Sequence, residues 1–310
     1  MAYNNIISNA DAKVLQPEQE IVDSIVQGIT QGSTILPLMR RLPDMVSGTA
    51  TMNVLDTLPV TYWVDEGVSN GRKQTTRASW KGKKIKAEEI AVIVPIKKNV
   101  YNDSKYDIWG QIRPLIVQDA YRLIDEAIIL GQGKPAEWRD GLIPSALTAG
   151  NTVAETADDT TYALISKAMT KVEEDGYDVT GIVGGVSLKG AFREGLLDST
   201  GQPLSPTSEV MQLPRVYAKN GAWDNEQAKF MVGDFQQAVY AIREDMTFEV
   251  FDTGSITDAE GRTIYNLLQD DMIALRFTFR LGWEVANPIN LLNKDEASRF
   301  PFAVVTPAIV

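Results

Sequence analysis

The sequence predicts an α+β protein with elongated parts, and three patterns indicate this class. Residues 273–285 alternate between large apolar side chains and other residues, which is the period of a strand with one buried face. Residues 108–130 carry apolar side chains at helical spacing. Residues 151–268 mix shorter helix and strand signals and predict a compact module. The long strand would extend about 43 Å, so the chain is not expected to be a simple globule.

The composition excludes several classes of function. The chain has 310 residues, of which 44% are hydrophobic, enough for a real core. It contains no Cys and no His, which excludes disulfides, Cys/His zinc sites, thiol nucleophiles and histidine bases. Its net charge of −11 opposes non-specific coating of nucleic acid. Most common hydrolase and metalloenzyme mechanisms are therefore excluded, and no sequence-specific nucleic-acid binding is predicted.

The sequence also lacks targeting signals. Its first residues do not form a basic segment followed by an apolar one, so no secretory signal is predicted. No apolar run approaches the 18 residues of a membrane span. Synthesis in the cytoplasm is the default expectation.

Residues 1–53 are weakly patterned and predict an arm. Residues 18–29 form one short helical candidate with an apolar stripe, and residues 36–44 contain two prolines that favour extended chain. An arm with so little apolar surface cannot fold alone. We expect it to lie on another surface.

Residues 54–90 predict a long hairpin. Residues 60–66 are rich in strand formers, and Asn70-Gly71 is a strong turn signal because both residues accept positive φ. A long, polar, two-stranded hairpin is only marginally stable alone. It needs a partner surface.

Charge is concentrated on this hairpin. Residues 72–98 hold nine Lys or Arg and two Glu, which gives this stretch a net charge of +7. Because the whole chain has a net charge of −11, the other residues together carry −18. Three interpretations stay open: a solvated loop, an arm that docks on the acidic body of a neighbouring copy, or a nucleic-acid contact. The acidic remainder of the chain opposes the third.

Beyond the hairpin, residues 90–96 predict a buried strand and Asn102-Asp103-Ser104 offer helix N-caps. The helix that follows should reach residue 130, with a kink or break at Pro114 and an end at the glycines of residues 131–133.

Several motifs suggest chemistry, but each has a simpler structural interpretation. Glycines at residues 181–185 favour a strand-to-helix turn over a phosphate loop, because the spacing of a nucleotide motif is absent. The acidic residues at 173–175 and 270–271 lack calcium-loop spacing and indicate a solvated helix end and a turn.

Six segments in order resemble the tailed-bacteriophage major capsid protein family, which has the Hong Kong 97-type fold. The match is in sequence order and extends over nearly the whole chain. The matching segments are residues 62–66 (YWVDE) with the basic hairpin, 102–104 (NDS), 125–133 (DEAIILGQG) with 140–144 (DGLIP), 196–203 (LLDSTGQP), 232–235 (VGDF) with 241–243 (AIR), and the long strand ending at 285–288 (VANP).

This resemblance implies a division of the chain. Residues 1–53 would be an N-terminal arm and residues 54–90 an extended E-loop hairpin. A P-domain would combine the strand and long spine helix of residues 91–150 with the return strand and C-terminal part in residues 269–310. Residues 151–268 would form an axial A-domain.

The resemblance also implies the function. Copies would form hexamers and pentamers of an icosahedral shell around double-stranded DNA, located in the virion capsid after synthesis in the host cytoplasm. The partners would be further copies of the chain, a portal, a separate scaffolding protein and decoration proteins, with no membrane. Alternatives are an encapsulin-like nanocompartment shell, an acidic carboxylate-dependent α/β enzyme, and a tail or decoration protein.

No catalytic, cofactor-binding or metal residues are predicted. The candidates for subunit interfaces are aromatic, basic or loop residues: Trp63, Arg72, Lys73, Arg77, Trp80, Lys81, Lys83, Lys84, Lys86, Pro203 and Trp283.

Overall fold

The computed structural model describes residues 32–64, 73, 75–156, 159–195, 209–210 and 213–308. The strands in these ranges are β1 (Arg40–Arg41), β2 (Thr49–Thr57), β3 (Ser79–Lys86), β4 (Glu88–Lys97), β5 (Thr152–Ala154), β6 (Gly181–Gly185), β7 (Glu209–Val210), β8 (Leu213–Ala218), β9 (Phe230–Gly233), β10 (Ala238–Phe251), β11 (Ser255–Thr257), β12 (Thr263–Asn266), β13 (Met272–Val285) and β14 (Phe302–Thr306). The helices are α1 (Lys98–Asp103), α2 (Ile108–Ile129), α3 (Leu142–Ala149), α4 (Thr161–Glu174) and α5 (Leu188–Gly195), with a 3₁₀ turn at Phe235–Gln237.

The long strand predicted near the end of the sequence is confirmed as β13. Its seven large apolar side chains, from Ile273 to Val285, are all buried. It lies between β10 and β4, both antiparallel to it, in a four-stranded sheet of order β1-β10-β13-β4. The strict alternation arises because one face of this sheet packs against helix α2 and the core.

Strand β4 corrects the prediction of a buried strand at residues 90–96. It is a strand, but Val92 and Ile93 are 39% and 47% exposed. The reason is its position, since it is the last strand of its sheet and only β13 pairs with it in the described part of the chain. An apolar run alone does not distinguish an edge strand from a central one.

Helix α2 confirms the predicted long helix and corrects its start. Asp107 is the N-cap and accepts a 3.0 Å hydrogen bond from the Gly110 backbone N–H, whereas the predicted caps at residues 102–104 end helix α1. The helix does not end at Pro114, because losing one backbone donor is tolerated in 22 residues. Gly131, with φ of 72°, ends it as predicted.

A second sheet has six strands in the order β5-β14-β9-β6-β8-β7. Strand β14 lies inside it, parallel to β5 and antiparallel to β9. The segment 269–310 therefore divides between the two sheets, with β13 in one and β14 in the other.

The glycines of residues 181–185 form strand β6 itself, so the predicted strand-to-helix turn is wrong. The strand is fully buried between β8 and β9. A Cβ at Gly184 would lie 2.7 Å from Leu188, and one at Gly185 would lie 2.9 Å from Trp223. These positions require glycine because other residues pack against the backbone.

One large core joins the two sheets. It contains apolar residues of α2, α3 and β13, together with Met231 of β9 and Phe302 of β14. A second core lies between α4, α5 and the other face of the six-stranded sheet.

A buried polar network, which we call the junction network, links the end of α4 to the segment after β13. Asp175 accepts hydrogen bonds from Asn151, Asn293 and the Phe300 backbone N–H at 2.7–3.0 Å. Asn287 accepts from the Tyr177 hydroxyl at 2.7 Å. The interpretation of residues 173–175 as a solvated helix end is wrong for Asp175, which is 6% exposed. The turn predicted at Asp270-Asp271 is confirmed, since both residues are exposed.

The described part of the predicted arm lies on its own subunit. Ile35, Leu36 and Met39 are buried in the large core, and β1 pairs in parallel with β10. The helical candidate at residues 18–29 lies outside the described residues.

Candidate assembly surfaces

A hairpin is present as the antiparallel pair β2–β3, which begins at Thr49 rather than at residue 54. The predicted strand at residues 60–66 is wrong over residues 60–64, which form no strand, and the predicted turn at Asn70-Gly71 lies outside the described residues. The register pairs Thr49 with Lys86 and Thr57 with Ser79, with a bulge near Leu55. The base is anchored because Ile85 packs with Met45, Ala87, Val239 and Ala241 of the same subunit. The hairpin is therefore fixed at its base.

The outer part of the hairpin has an apolar, solvent-exposed surface. Trp63 is 98% exposed and Trp80 is 66% exposed. Val60 is also 64% exposed although its backbone N–H is hydrogen-bonded to the Thr76 hydroxyl. We call this group the hairpin tip surface: Val60, Tyr62, Trp63, Val64 and Trp80. Exposed large apolar side chains in one hairpin make it a candidate interaction surface.

The basic residues of the hairpin divide into two groups, and the first pairs within its own subunit. Lys81 donates a 3.0 Å hydrogen bond to Glu296, which raises the pKa of Lys81 and lowers that of Glu296. Lys83 lies 3.6 Å from the same carboxylate, and its burial lowers its pKa. Lys86 pairs with Glu137 at 3.2 Å. These three lysines fix the hairpin base to its own chain.

The second group of basic residues faces solvent. Lys73, Arg77 and Lys84 are exposed, and none of them forms an ion pair with a side chain in the described ranges. These residues keep the positive charge that a neighbouring surface would meet.

The remaining candidates lie in different surroundings. Trp283 is 2% exposed and contacts Trp138 edge to face at 6.4 Å, so it is a core residue of its own subunit. Arg72 and Pro203 lie outside the described residues. The structure therefore brings together the hairpin candidates and separates Trp283 from them.

A groove lies beside the open edge of β4, and the sequence reasoning did not find it. Its volume is about 230 Å³. Glu88 and Glu89 form an acidic rim, and helix α2 provides an apolar wall with Leu123 and Ile124. The signal in the sequence was the pair of glutamates at the start of an apolar strand, but only the fold brings α2 against it.

Other exposed apolar residues were also missed. Val46, Leu268, Leu291 and Leu292 are between 70% and 93% exposed. They lie in connecting segments, where period-based reasoning has no basis for predicting exposure.

The described residues offer neither a metal site nor a membrane-spanning helix. No group of three acidic, Cys or His side chains is arranged to hold a metal ion in that part of the chain. None of the helices there has the length and apolar character needed to cross a membrane.

A hairpin with exposed aromatic residues and an open strand edge are features of subunits that associate through their surfaces. The model of the phage capsid family matches residues 16–292, so this chain belongs to the phage capsid family. The resemblance drawn from the sequence is confirmed, and so is the predicted function of a bacteriophage capsid protein located in the virion capsid.

Individual relatives agree with the family. The major capsid protein of Staphylococcus phage 80alpha is 24% identical over 272 residues, which cover 86% of this chain and 81% of the relative. A solved structure from Microbacterium phage Oxtober96 is 37% identical with a TM-score of 0.83, covering 98% of this chain and 100% of its own. One from Mycobacterium phage Adephagia is 25% identical with a TM-score of 0.84, covering 99% of each chain.

Proposed function

We propose that this chain is the subunit that builds the shell of a phage head, with copies associating into hexamers and pentamers that enclose double-stranded DNA. Membership in the phage capsid family supports this assembly. The observation that carries the proposal is the hairpin tip surface, whose apolar side chains project into solvent from an anchored base.

The tip surface needs a partner on energetic grounds. Covering an exposed tryptophan with another surface removes apolar area from water, which lowers the free energy of association. Trp63 is not covered by the described residues of its own subunit, because its side chain is almost fully exposed. A second copy of the chain is the natural partner because the family builds shells from many copies.

The groove beside β4 has the properties of a receiving surface on the neighbouring copy. Its apolar wall suits aromatic side chains, and its rim of Glu88 and Glu89 is opposite in charge to Lys73 and Arg77. A docked hairpin would share these carboxylates with Lys86 and Arg280 of the receiving subunit, which lie 3.7 and 3.9 Å from them. Such complementarity favours the correct encounter and register between subunits. Each contact is small, but several per copy add through multivalency.

The division into domains is part of the proposal. The hairpin acts as the E-loop, and α2 with β4, β10 and β13 forms the P-domain. Strand β10 falls within residues 151–268, the predicted A-domain, but it pairs with β13 and so we assign it to the P-domain. The six-stranded sheet with α4 and α5 forms the A-domain around the capsomer axis, and β14 joins it. The role is structural rather than enzymatic. Portal, separate scaffolding and decoration proteins complete the set of partners, and synthesis takes place in the host cytoplasm.

The alternatives receive no specific support. An encapsulin-like shell shares the architecture, but the named relative is a phage major capsid protein. A carboxylate enzyme requires paired acidic groups in a cleft, and the buried Asp175 is instead fully engaged in the junction network.

The test is assembly of the purified protein, followed by sedimentation velocity and negative-stain microscopy. We expect capsomers or shells, far larger than 34.2 kDa. A persistent monomer at high concentration and moderate salt would contradict shell formation.

The role of the hairpin is tested by reversing its free charges together, as Lys73→Glu, Arg77→Glu and Lys84→Glu. We expect folded subunits that do not assemble. The matched control reverses three exposed lysines elsewhere and changes the net charge equally: Lys105→Glu, Lys171→Glu and Lys219→Glu. Equal particle yield from both variants would refute docking through the hairpin charges.

A further inference from the structure

The N-terminal arm is held by an unusual buried group. Asp125 lies on the inner face of α2 and is 0% exposed. Its carboxylate accepts hydrogen bonds from the Ser33 hydroxyl, from the Thr34 backbone N–H at 2.6 Å and from the Asn220 side-chain amide at 2.7 Å. We call this arrangement the arm clasp. It joins the arm, the long helix and the loop after β8.

The arm clasp places a carboxylate in the core, which is energetically costly. A buried carboxylate loses its hydration, and the donors that replace the water here are all uncharged. Burial accordingly raises the pKa of Asp125, while its three hydrogen bonds act in the opposite direction. Hydrogen bonds to an ionised acceptor are stronger than neutral ones. The closed clasp is stable only while its donors stay in place.

Partial opening is therefore disfavoured. If Ser33 and Thr34 leave, the carboxylate keeps one donor in an apolar core, which is a costly state. Full opening gives access to water through a neighbouring groove of about 430 Å³, which Gly32, Ser33 and Leu36 line. The clasp favours two states, one closed and one open with the carboxylate hydrated.

The rest of the described arm is held by apolar packing, by backbone pairing with β10 and by two side-chain hydrogen bonds, from Gln236 to the Leu38 carbonyl and from Arg243 to the Met45 carbonyl. Strand β1 has only two residues, and two further backbone N–H groups, of Leu42 and Met45, donate to β10 at 2.8 Å. Side-chain packing adds Ile35, Leu36 and Met39. No salt bridge joins residues 32–45 to the body among the described residues, because Arg41 pairs with Asp44 of the arm itself.

We propose that Asp125 is the release point of the N-terminal arm: an all-or-none clasp whose opening frees residues 33–41, including β1, while β10, β13 and β4 and the six-stranded sheet stay folded. This inference concerns the free subunit and does not depend on the proposed shell. It assigns Asp125 a conformational role in addition to core packing.

The experiment measures how often the arm opens in the full chain. Trypsin needs an extended, detached segment, so cleavage after Arg40 and Arg41 should follow the detachment of β1. N-terminal sequencing of the fragments separates this cut from cuts at other exposed sites, and its rate reports the open population. We compare the wild type with Asp125→Ala and with Ser33→Ala, which keeps the buried carboxylate. Ser47→Ala is the matched control, because Ser47 is exposed and its hydroxyl bonds only to Thr49 nearby.

We expect cleavage to accelerate at least about tenfold in Asp125→Ala, less in Ser33→Ala and not at all in Ser47→Ala. Hydrogen exchange at Thr34 should accelerate in parallel, while Val232 and Val304 in the six-stranded sheet stay protected. Unchanged cleavage in both clasp variants would overturn the proposal and assign the arm to apolar packing alone. Equal acceleration throughout the chain would overturn it too, because Asp125 would then stabilise the whole fold.

Discussion

Two tryptophans in this chain allow a sharp test of which surface serves assembly. Trp63 is 98% exposed at the hairpin tip, and Trp283 is 2% exposed in the core. The same substitution to alanine should therefore have opposite consequences. Trp63→Ala should abolish or weaken assembly without affecting the subunit, whereas Trp283→Ala should destabilise the subunit itself.

The magnitudes follow from burial. A tryptophan covered by a neighbour removes roughly 150–250 Å² from water, which corresponds to about 4–6 kcal/mol as an upper value. Alanine substitution at such positions costs about 2–4 kcal/mol, and 2 kcal/mol weakens a contact about 30-fold. For the free subunit, an exposed substitution changes the free energy of unfolding by less than about 0.5 kcal/mol. Trp283→Ala should cost about 3–5 kcal/mol.

The assay has two parts. Sedimentation velocity over a concentration series gives the concentration at which subunits associate, and denaturant unfolding under non-assembling conditions gives the stability of the subunit. For Trp63→Ala we expect a higher association concentration and an unchanged unfolding midpoint.

Two results would refute this reasoning. Assembly of Trp63→Ala at the wild-type concentration would show that the tip is not an interface. A loss of subunit stability comparable to that of Trp283→Ala would show that the tip packs within its own chain.

Three further outcomes are expected from the structure. Gly282→Ala should lower the free energy of unfolding by about 1–3 kcal/mol in denaturant titrations, since its Cβ would lie 2.5 Å from the Lys86 carbonyl oxygen. Burial raises the pKa of Tyr177 to about 12, so the wild type should lose stability as the pH rises from 10 towards 12, and Tyr177→Phe should lose less over that range. The hydrogen bond from Lys81 lowers the pKa of Glu296 in the folded subunit below its unfolded value of 4.5. Ionised Glu296 therefore stabilises the fold above pH 4.5, and this contribution is lost as the pH falls below 4.5 and the carboxylate is protonated. Thermal unfolding of Glu296→Gln should accordingly depend less on pH in that acidic range.

Each outcome has a clear opposite. A fully stable Gly282→Ala variant would mean that the hairpin base shifts freely over β13. Identical alkaline profiles for Tyr177→Phe and the wild type would remove the linkage assigned to this phenol. An unchanged acid profile for Glu296→Gln would show that its ion pairs are too exposed to affect stability.

The fold could be predicted where the spacing of apolar residues along the sequence determines the type of secondary structure. The alternation in β13 and the helical spacing in α2 each mark one buried face, and both elements were found. The exposure of β4 and the strand assignment of β6 could not be predicted, because each depends on neighbours distant in sequence. The edge position of Val92 and the close approach of Trp223 to Gly185 exist only in the folded chain.

The candidate surfaces show the same limit. The charge pattern located the basic stretch at residues 72–98, most of which belongs to strands β3 and β4. It did not reveal that Lys81 meets Glu296, which lies 215 residues further along the chain. Nor did it indicate that Asp125, one acidic residue among several on α2, is buried beneath the arm. Charge patterns predict attraction but not the partner.

The position of β14 has a consequence for how the protein is made. Among the described residues, β14 is the one strand that pairs with β5, and β9 pairs with the other side of β14. A ribosome adds about 5–20 residues per second, and the sheet stays incomplete until residue 306 has left the exit tunnel. Nascent chains therefore carry an unfinished sheet with open edges, and only the completed polypeptide presents the shape that its sister subunits recognise.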